Sequence, residues 1–312
     1  MTNSLVCVMD DLAAIKPVKD TSFALLLEGQ RRGLPVWYAN EQDLSLHGSH
    51  CLAKLRRVRL QDDPAEWFEV LETVQRPLGR GDLVLMRSDP PVDDNYIYAT
   101  MLLDRAAADG ARVVNNPSAL RDFNEKLAIA RFPELIPETV VASDREQLRR
   151  FVSKLGRAVL KPLDGMGGRG IFMASAEDSN LNVILETLTA DGTRPAMAQQ
   201  FLPGISRGDK RVLVVAGQVV PYVLARIPGG SDFRGNLARG GRGEGQAISE
   251  TERHIAETVA PVLLEHDIQF AGLDVIDGHL TEINITSPTC VRELDARFGL
   301  NIAGILFDQL LE

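Results

Sequence analysis

The chain is predicted to be an α/β protein, an N-terminal open α/β domain followed by a region of α+β subdomains, on three grounds. Short apolar runs alternate with helix-like segments through the first third, as in SLVCV, PVWYA and LVLMR, the pattern of buried strands joined by crossovers. Beyond residue 122 the pattern changes to paired strands linked by glycine-rich or Asp-Gly turns. A length of 312 residues exceeds what one core normally serves, while 45% hydrophobic and 25% charged residues are ordinary for a soluble globular protein.

The first domain is read as residues 1–122. SLVCVMD opens it as a short buried strand, Asp20 and Thr21 can cap a helix that runs to Arg32 and stops at Gly33, and PVWYA follows as a second strand. Residues 41–81 show no regular period. LVLMR at 83–87 is a strand ending in Arg87, after which Pro90-Pro91 forces the chain out of the sheet. Residues 95–109 read as a helix stopped at Gly110, and ARVVN as a strand leading into Pro117. Ligands of open α/β sheets sit at the carboxyl ends of strands, so Arg87 and Asp89 are candidates to hold one end of a substrate. The alternative for Arg87 is a surface ion pair.

The second domain is read as 123–312, with a first subdomain at 123–200. ETVVA is a strand, Asp144 can cap a helix to Leu155, and RAVLKP is a strand that carries Lys161 just ahead of the run 164–170, DGMGGRG. That run matches GxGxxG, but the following IFMA is strand-like, which excludes a dinucleotide-binding helix, and no Gly-Lys-Ser/Thr follows to make a Walker loop. What remains is a hairpin in which Gly165, Gly167 and Gly168 let backbone N–H groups approach phosphates, with Lys161 as a phosphate ligand. MAQQFL ends an apolar strand. Its extended Gln199, Gln200, Phe201 and Leu202 can hydrogen-bond an adenine through the backbone and line the pocket, or form plain core.

The second subdomain, 201–312, opens with RVLVVAGQVVPYVLARI, a hairpin about Ala216-Gly217 with Arg211 and Arg226 at its outer ends. From 203 to 243, seven basic residues (Arg207, Lys210, Arg211, Arg226, Arg234, Arg239, Arg242) face two acidic ones (Asp209, Asp232), a local charge of +5. This is the basic island an anionic ligand needs. Residues 228–245 are too rich in glycine for a packed element and read as a lid, from which Arg234, Asn236 and Arg242 would reach a phosphate or carboxylate. Ser249 caps a helix to about His266, and 297–312 reads as one closing helix.

Between these helices lies GLDVIDGHLTEINITSPTCVR, in which Glu282 and Asn284 are two residues apart on a strand and share a face. The placement of Asp274 depends on the turn at Asp277-Gly278. A two-residue type I′ loop would set Asp274 opposite Thr281, whereas a three-residue loop sets it diagonal to Glu282, and the second is expected. Three oxygen donors on one face suit Mg²⁺, which fills its octahedron with phosphate oxygens and water. The alternative is an edge hairpin with solvated polar residues.

A net charge of -9 and pI near 5.2 argue against nucleic acid or an anionic membrane as the main partner. Cys7, Cys51 and Cys290 lack metal-ligand or redox spacing and read as thiols of a reducing compartment, the cytoplasm by default. No apolar run is long enough to span a membrane, and no signal peptide or repeat is evident. His47 and His50 in HGSH read as a surface loop, and Cys290 as packing.

Lys126, Lys161, the glycine hairpin, the basic hairpin and Glu282-Ile283-Asn284 resemble the ATP-grasp superfamily. MRSDPP, RDFNEKL, LKPLDGMGG, RIPGGSDFRGNLARGGRG and LTEINITSPTC resemble, more closely, the bacterial glutathione synthetase family. The resemblance spans nearly the whole chain; Thr21 and Arg169 depart from the family wording without touching its chemistry. It implies a preceding α/β domain, two ATP-grasp subdomains clamping ATP, and a homotetramer. By position it implies ATP binding by Lys126, Lys161, the glycine hairpin, 199–202 and Asp209. It also implies Mg²⁺ (with Mn²⁺ as a substitute) on Asp274, Glu282 and Asn284, and a lid at 228–243.

The implied reaction joins γ-glutamylcysteine and glycine through an acyl phosphate, forming glutathione, ADP and phosphate. Lys161, Arg211 and Arg226 would offset transferring charge, and Ser287, Pro288 and Thr289, just past the metal strand, would contact substrate. A different ATP-grasp carboxylate-amine ligase, or a non-catalytic ATP-binding regulator of the same fold, are the alternatives.

Overall fold

A computed structural model describes residues 2–229, 234–235 and 240–312. The N-terminal region is built on a sheet of order β3-β4-β2-β1-β6-β7, with β5 paired to β4. Its strands are β1 (Ser4–Val8), β2 (Val36–Ala39), β3 (Leu44–His47), β4 (His50–Leu60), β5 (Phe68–Pro77), β6 (Asp82–Met86) and β7 (Arg112–Val114). β1 lies parallel to β2 and β6, and β6 to β7. The linking helices are α1 (Thr21–Arg31), α2 (Asp94–Ala108) and α3 (Pro117–Asp122). Asp20 caps α1 by accepting from the Phe23 N–H at 2.7 Å, and positive-φ Gly33 and Gly110 follow α1 and α2.

Residues 41–81, expected to be irregular, form the antiparallel strands β3, β4 and β5. β5 (FEVLETVQRP) is exposed along most of its length, so no buried face stamps a period on it. In β4 the alternation of buried Cys51, Ala53 and Leu55 is broken by a bulge at Arg57/Val58.

The next sheet has the order β10-β9-β11-β8, from β8 (Thr139–Ala142), β9 (Arg157–Pro162), β10 (Phe172–Ser175) and β11 (Ala196–Gln200), covered by α4 (Arg145–Leu155) and α5 (Leu181–Thr189). The glycine run joins antiparallel β9 and β10, as expected. The last sheet has the order β14-β13-β12-β15-β16, from β12 (Asp209–Val215), β13 (Gln218–Ile227), β14 (Arg242–Ala247), β15 (Phe270–Ile276) and β16 (His279–Asn284). α6 (Glu250–Glu265) starts at a capping box of Ser249 and Glu252. The single closing helix is instead two, α7 (Val291–Phe298) and α8 (Ile302–Leu311), separated at Gly299 with φ 64°. The end of the expected lid, 242–245, lies in strand β14, which pairs with β13.

The core explains how the sheets sit. Alternation on β1 sends Val6 and Val8 to one cluster and Leu5 and Cys7 to another. The first cluster continues through Leu103 and Phe123 to Val212, Leu273 and Ile283, the second through Phe23 and Phe307 to Leu213, Val291 and Leu294. The N-terminal sheet and the five-stranded sheet therefore share hydrophobic cores, while Leu148, Leu160, Leu185 and Ala198 form a separate cluster under α4 and α5. Buried Asn115 adds a polar stitch: its amide donates to Phe270 O (2.8 Å) and Ile285 O (2.7 Å) and accepts from Gln269 N and Phe270 N.

Candidate active site

A cavity of about 440 Å³ lies among the three sheets. Its acidic wall is the β15–β16 hairpin. The turn is the two-residue form, with Asp277 and Gly278 at φ 49° and 73° and Ile276 opposite His279, not the three-residue loop expected. A bulge at Asp274/Val275 then absorbs the extra residue Thr281, which sets Asp274 directly opposite Glu282. The common face holds for a different reason from the one the turn suggested.

Both Asp274 oxygens are engaged. Arg211 Nε donates to Oδ1 at 2.6 Å and Nη2 to Oδ2 at 3.2 Å, while Arg226 Nη2 lies 2.8 Å from Oδ2. Burial opposes ionisation of Asp274, but the two guanidiniums outweigh it and hold the carboxyl well below the usual range. Arg226 Nη2 also donates to Asp209 Oδ2. Burial raises the Asp209 carboxyl to about 7, with Arg226 opposing and Asp274 adding to the rise; its Oδ1 is buried with no hydrogen-bond partner among the described residues. The cross-strand pair Asp209↔Arg226 brings the outer ends of β12 and β13 together here.

Glu282 Oε1 pairs with Lys126 Nζ at 2.8 Å, and the Asn284 amide donates to Gly272 O, leaving its oxygen to accept. Lys126 also donates to Gly165 O at 2.6 Å, which ties the hairpin carboxylate to the glycine loop. Lys161, buried on β9, donates to Gln199 Oε1 at 3.1 Å. Burial pulls its ammonium below the usual lysine value, whereas in Lys126 burial is outweighed by Glu282 and the pKa rises. Glu125 fixes the backbone beyond the metal strand by accepting from Ile285 N, Thr286 N and Thr286 Oγ1; burial raises its carboxyl, with Glu282 adding to the rise.

Gly165, Gly167, Gly168, Gln199, Gln200, Phe201, Leu202, Arg234, Ser287 and Thr289 also line the cavity. Arg234 Nη1 donates to Gly168 O at 2.6 Å, so the described part of the 228–243 segment touches the glycine loop. Two substrate candidates lie behind the wall: buried Arg87 donates to Ser22 Oγ (3.1 Å) and to Pro288 O (2.8 Å), and neither Arg87 nor Pro288 lines the cavity. Arg87 is buried and so is not a surface ion-pair partner; its guanidinium holds the 287–289 turn in place. Arg242 pairs with Glu244 at 2.7 Å on β14 and also stands outside the cavity lining. Asn236 lies outside the described residues. The His47–His50 turn is exposed, with His50 paired to Asp109.

Sequence reasoning did not single out Lys16, Lys19, Ile171, Ile205, Ile276 and Glu293, all in the wall. They come from separated elements and carry no local spacing. Cys290, read as packing, is buried and lines the cavity; burial raises its thiol, with Arg211 and Arg226 opposing.

The hard-oxygen set Asp274, Glu282 and Asn284 on one sheet face fits a divalent cation. Glu282 and Asn284 are the more available donors, because the Asp274 charge is spent on two arginines. Among the described residues no group of three or more His, Cys, Asp or Glu side chains is placed to hold a metal ion.

The family model for the prokaryotic glutathione synthetase N-terminal domain matches residues 4–121, and that for its ATP-grasp domain matches 125–299. A glutathione synthetase of Xanthomonas campestris is 54% identical over 310 residues, covering 99% of this chain and 98% of its own. One of Vibrio parahaemolyticus is 50% identical over 303 residues, covering 97% and 96%. Among solved structures, the D-cycloserine synthetase DcsG superposes with TM-score 0.69 at 14% identity over 98% of this chain and 100% of its own. The ATP-grasp ligase PsnB, complexed with a minimal precursor, superposes with TM-score 0.63 at 22% identity over 100% and 99%. These structures share the fold. With both family models matched in order and half the residues identical to those relatives, the chain belongs to the prokaryotic glutathione synthetase family of ATP-grasp ligases.

Proposed function

We propose how the residues of this cavity carry out the family's reaction, the ATP-dependent ligation of γ-glutamylcysteine and glycine to glutathione. The chain is a glutathione synthetase, and neither a different ligase nor a regulator is favoured. The observation that carries the assignment of roles is the convergence of Lys126, Lys161, Arg211 and Arg226 on one cavity wall with Asp274, Glu282 and Asn284.

A carboxylate is a poor electrophile, so its oxygen attacks the ATP γ-phosphorus, the bond to the β-phosphate oxygen breaks, and ADP leaves. The glycine amine then attacks the acyl carbon, phosphate leaves with the C–O bond pair, and the amine loses a proton. Gln199, Gln200, Phe201 and Leu202 take the adenine at the end of β11; Arg157 lies 5.3 Å over the Phe201 ring and steadies it. The backbone at Gly165, Gly167 and Gly168 lies over the phosphates, and Lys126 and Lys161 meet their charge. Asp209, its Oδ1 without a partner among the described residues, accepts from the nucleotide. Arg211 and Arg226, already fixed by Asp274, face the transferring phosphoryl group and the acyl substrate, so little reorganisation is needed as charge moves.

Glu282 and Asn284, with Asp274 behind them, would hold the divalent cation, Mg²⁺ or Mn²⁺, whose chemistry is to neutralise phosphate oxygens. Ser287 and Thr289 contact the acyl substrate. Arg234, held at the glycine loop, helps exclude water from the acyl phosphate; residues 230–233 and 236–239 of the expected 228–243 lid lie outside the described residues. The division into 1–122 and 123–312, the homotetramer implied by the family resemblance and the cytoplasmic location expected from the free cysteines belong to the same proposal. Among the described residues, no helix is long and apolar enough to cross a membrane.

The test is phosphate release with γ-glutamylcysteine, comparing glycine with alanine, serine and no amine. Release at full rate with glycine and at least about tenfold slower without an amine is the expected outcome. Release that ignores the amine contradicts coupled ligation.

A further inference from the structure

The turn of the acidic hairpin is tied to the connection that leaves the adenine-side strand. Asp277 Oδ2 accepts from the Gly204 backbone N–H at 2.5 Å, and Oδ1 accepts from Arg207. A Cβ at Gly204 would lie 1.7 Å from Asp277 Oδ1, so the carboxylate occupies the space that only glycine leaves open. Gly204 is the second residue of the short turn Pro203–Arg207 between β11 and β12, and Asp277 is held at φ 49° by the type I′ turn. The flanking residues matter most: Ile205 and Ile276, next in the chain to the two partners, both line the cavity, as do Leu202 and Asp209 at the ends of the connection.

We propose that Asp277 is a positioning residue for nucleotide binding, its carboxylate clamping the 203–207 turn to the acidic hairpin so that Ile205 and Ile276 stand as paired apolar walls of the ATP site. The inference rests on the placement of ATP in this cavity. Two bodies of the chain contribute to one ligand, β11 with its connection on one side and β15–β16 on the other. A charge-assisted contact between them fixes their spacing before ATP arrives. In the proposed function the acyl substrate is held at Ser287 and Thr289, which take no part in the Asp277–Gly204 contact.

The test measures ATP affinity by calorimetry without turnover, together with KM and kcat, for Asp277→Gly, Asp277→Asn, Gly204→Ala and the double variant Asp277→Gly/Gly204→Ala. Glycine and asparagine both tolerate the left-handed turn, so the hairpin is kept while the carboxylate is lost or neutralised. Asp277→Gly and Gly204→Ala should each weaken ATP binding about tenfold, with KM for γ-glutamylcysteine within about twofold of the starting protein. Asp277→Asn, which keeps an acceptor for Gly204 N–H but loses the charge on Arg207, should fall between. Because both single changes break one contact, the double variant should be no weaker than the worse single.

ATP affinity within twofold of the starting protein, equal losses for ATP and γ-glutamylcysteine, or additive losses in the double variant would each overturn the proposal. If Asp277→Gly does not fold, Asp277→Asn and Gly204→Ala decide it. Lys161→Ala serves as the separate control: if it leaves ATP binding unchanged, the placement of the nucleotide is wrong, whereas if it abolishes binding and Asp277→Gly does not weaken it, only the clamp is wrong.

Discussion

Glu282 shows how much one side chain can decide. Its Oε1 anchors Lys126 at 2.8 Å, and Glu282 and Asn284 both line the cavity. Glu282→Gln keeps the shape and a hydrogen-bond acceptor but removes the charge, so turnover should fall roughly a hundredfold or more, the several kcal/mol that a bound cation supplies. The thermal midpoint measured beside it should stay within a few degrees. Near-normal activity with unchanged metal dependence would remove Glu282 from the metal assignment.

Asp209 gives a pH test. Burial raises its carboxyl from 3.8 to about 7, so the folded state holds a proton that the unfolded chain has already released between those values. Its contribution to stability is present at low pH and is lost as pH rises through about 7. Asp209→Asn cannot titrate, so the stability difference between wild type and variant should shift against the wild type from about pH 4 to about pH 7 and then level off. Urea unfolding at several pH values reads this directly, and a difference that does not change with pH would contradict the burial reading.

At the scale of elements, Asn115 is a single side chain that joins β7 to the starts and ends of β15 and β16. Asn115→Ala leaves the carbonyls of Phe270 and Ile285 and two N–H groups without that partner, in a place where water does not reach. The expected loss is about 3 kcal/mol of unfolding free energy, readable as a lower urea midpoint with an unchanged slope. A loss below about 0.5 kcal/mol would mean that the stitch is replaced by local repacking.

The same scale shows what the sequence makes legible. Elements with strong local chemistry are plain: Asp20, Asp144 and Ser249 as helix caps, Ala216-Gly217 as a turn, Glu282 and Asn284 on one face. The bulge at Thr281 is not, because nothing in LTEIN distinguishes a strand with one extra residue from a regular one. β5 escapes notice because it is exposed along most of its length, and the break at Gly299 because a long apolar pattern continues on either side of it. Arg87 stands behind the cavity wall for a related reason. Position at the carboxyl end of a strand places a side chain near the site but does not say whether another loop, here 287–289, stands between them.

At the scale of the whole molecule, the N-terminal sheet and the five-stranded sheet are fused by shared cores, and the four-stranded unit has a hydrophobic cluster of its own. The cavity therefore draws on residues of two units that are packed differently. Lys161 reaches Thr281 O across it and Arg234 reaches Gly168 O, while Lys126 joins the two sides by holding both Glu282 and Gly165 O. Lys19, Asp20 and Glu293 reach the same cavity from the N-terminal region and α7.

The central claim is that this cavity passes a phosphoryl group from ATP to a carboxylate oxygen before the amine attacks. Turnover with γ-glutamylcysteine labelled with ¹⁸O in the cysteinyl carboxylate, followed by mass analysis of the released phosphate, tests it most directly. The mechanism predicts one labelled oxygen in each phosphate formed, with glutathione retaining the other. Phosphate free of label, at a normal rate of glutathione formation, would contradict it.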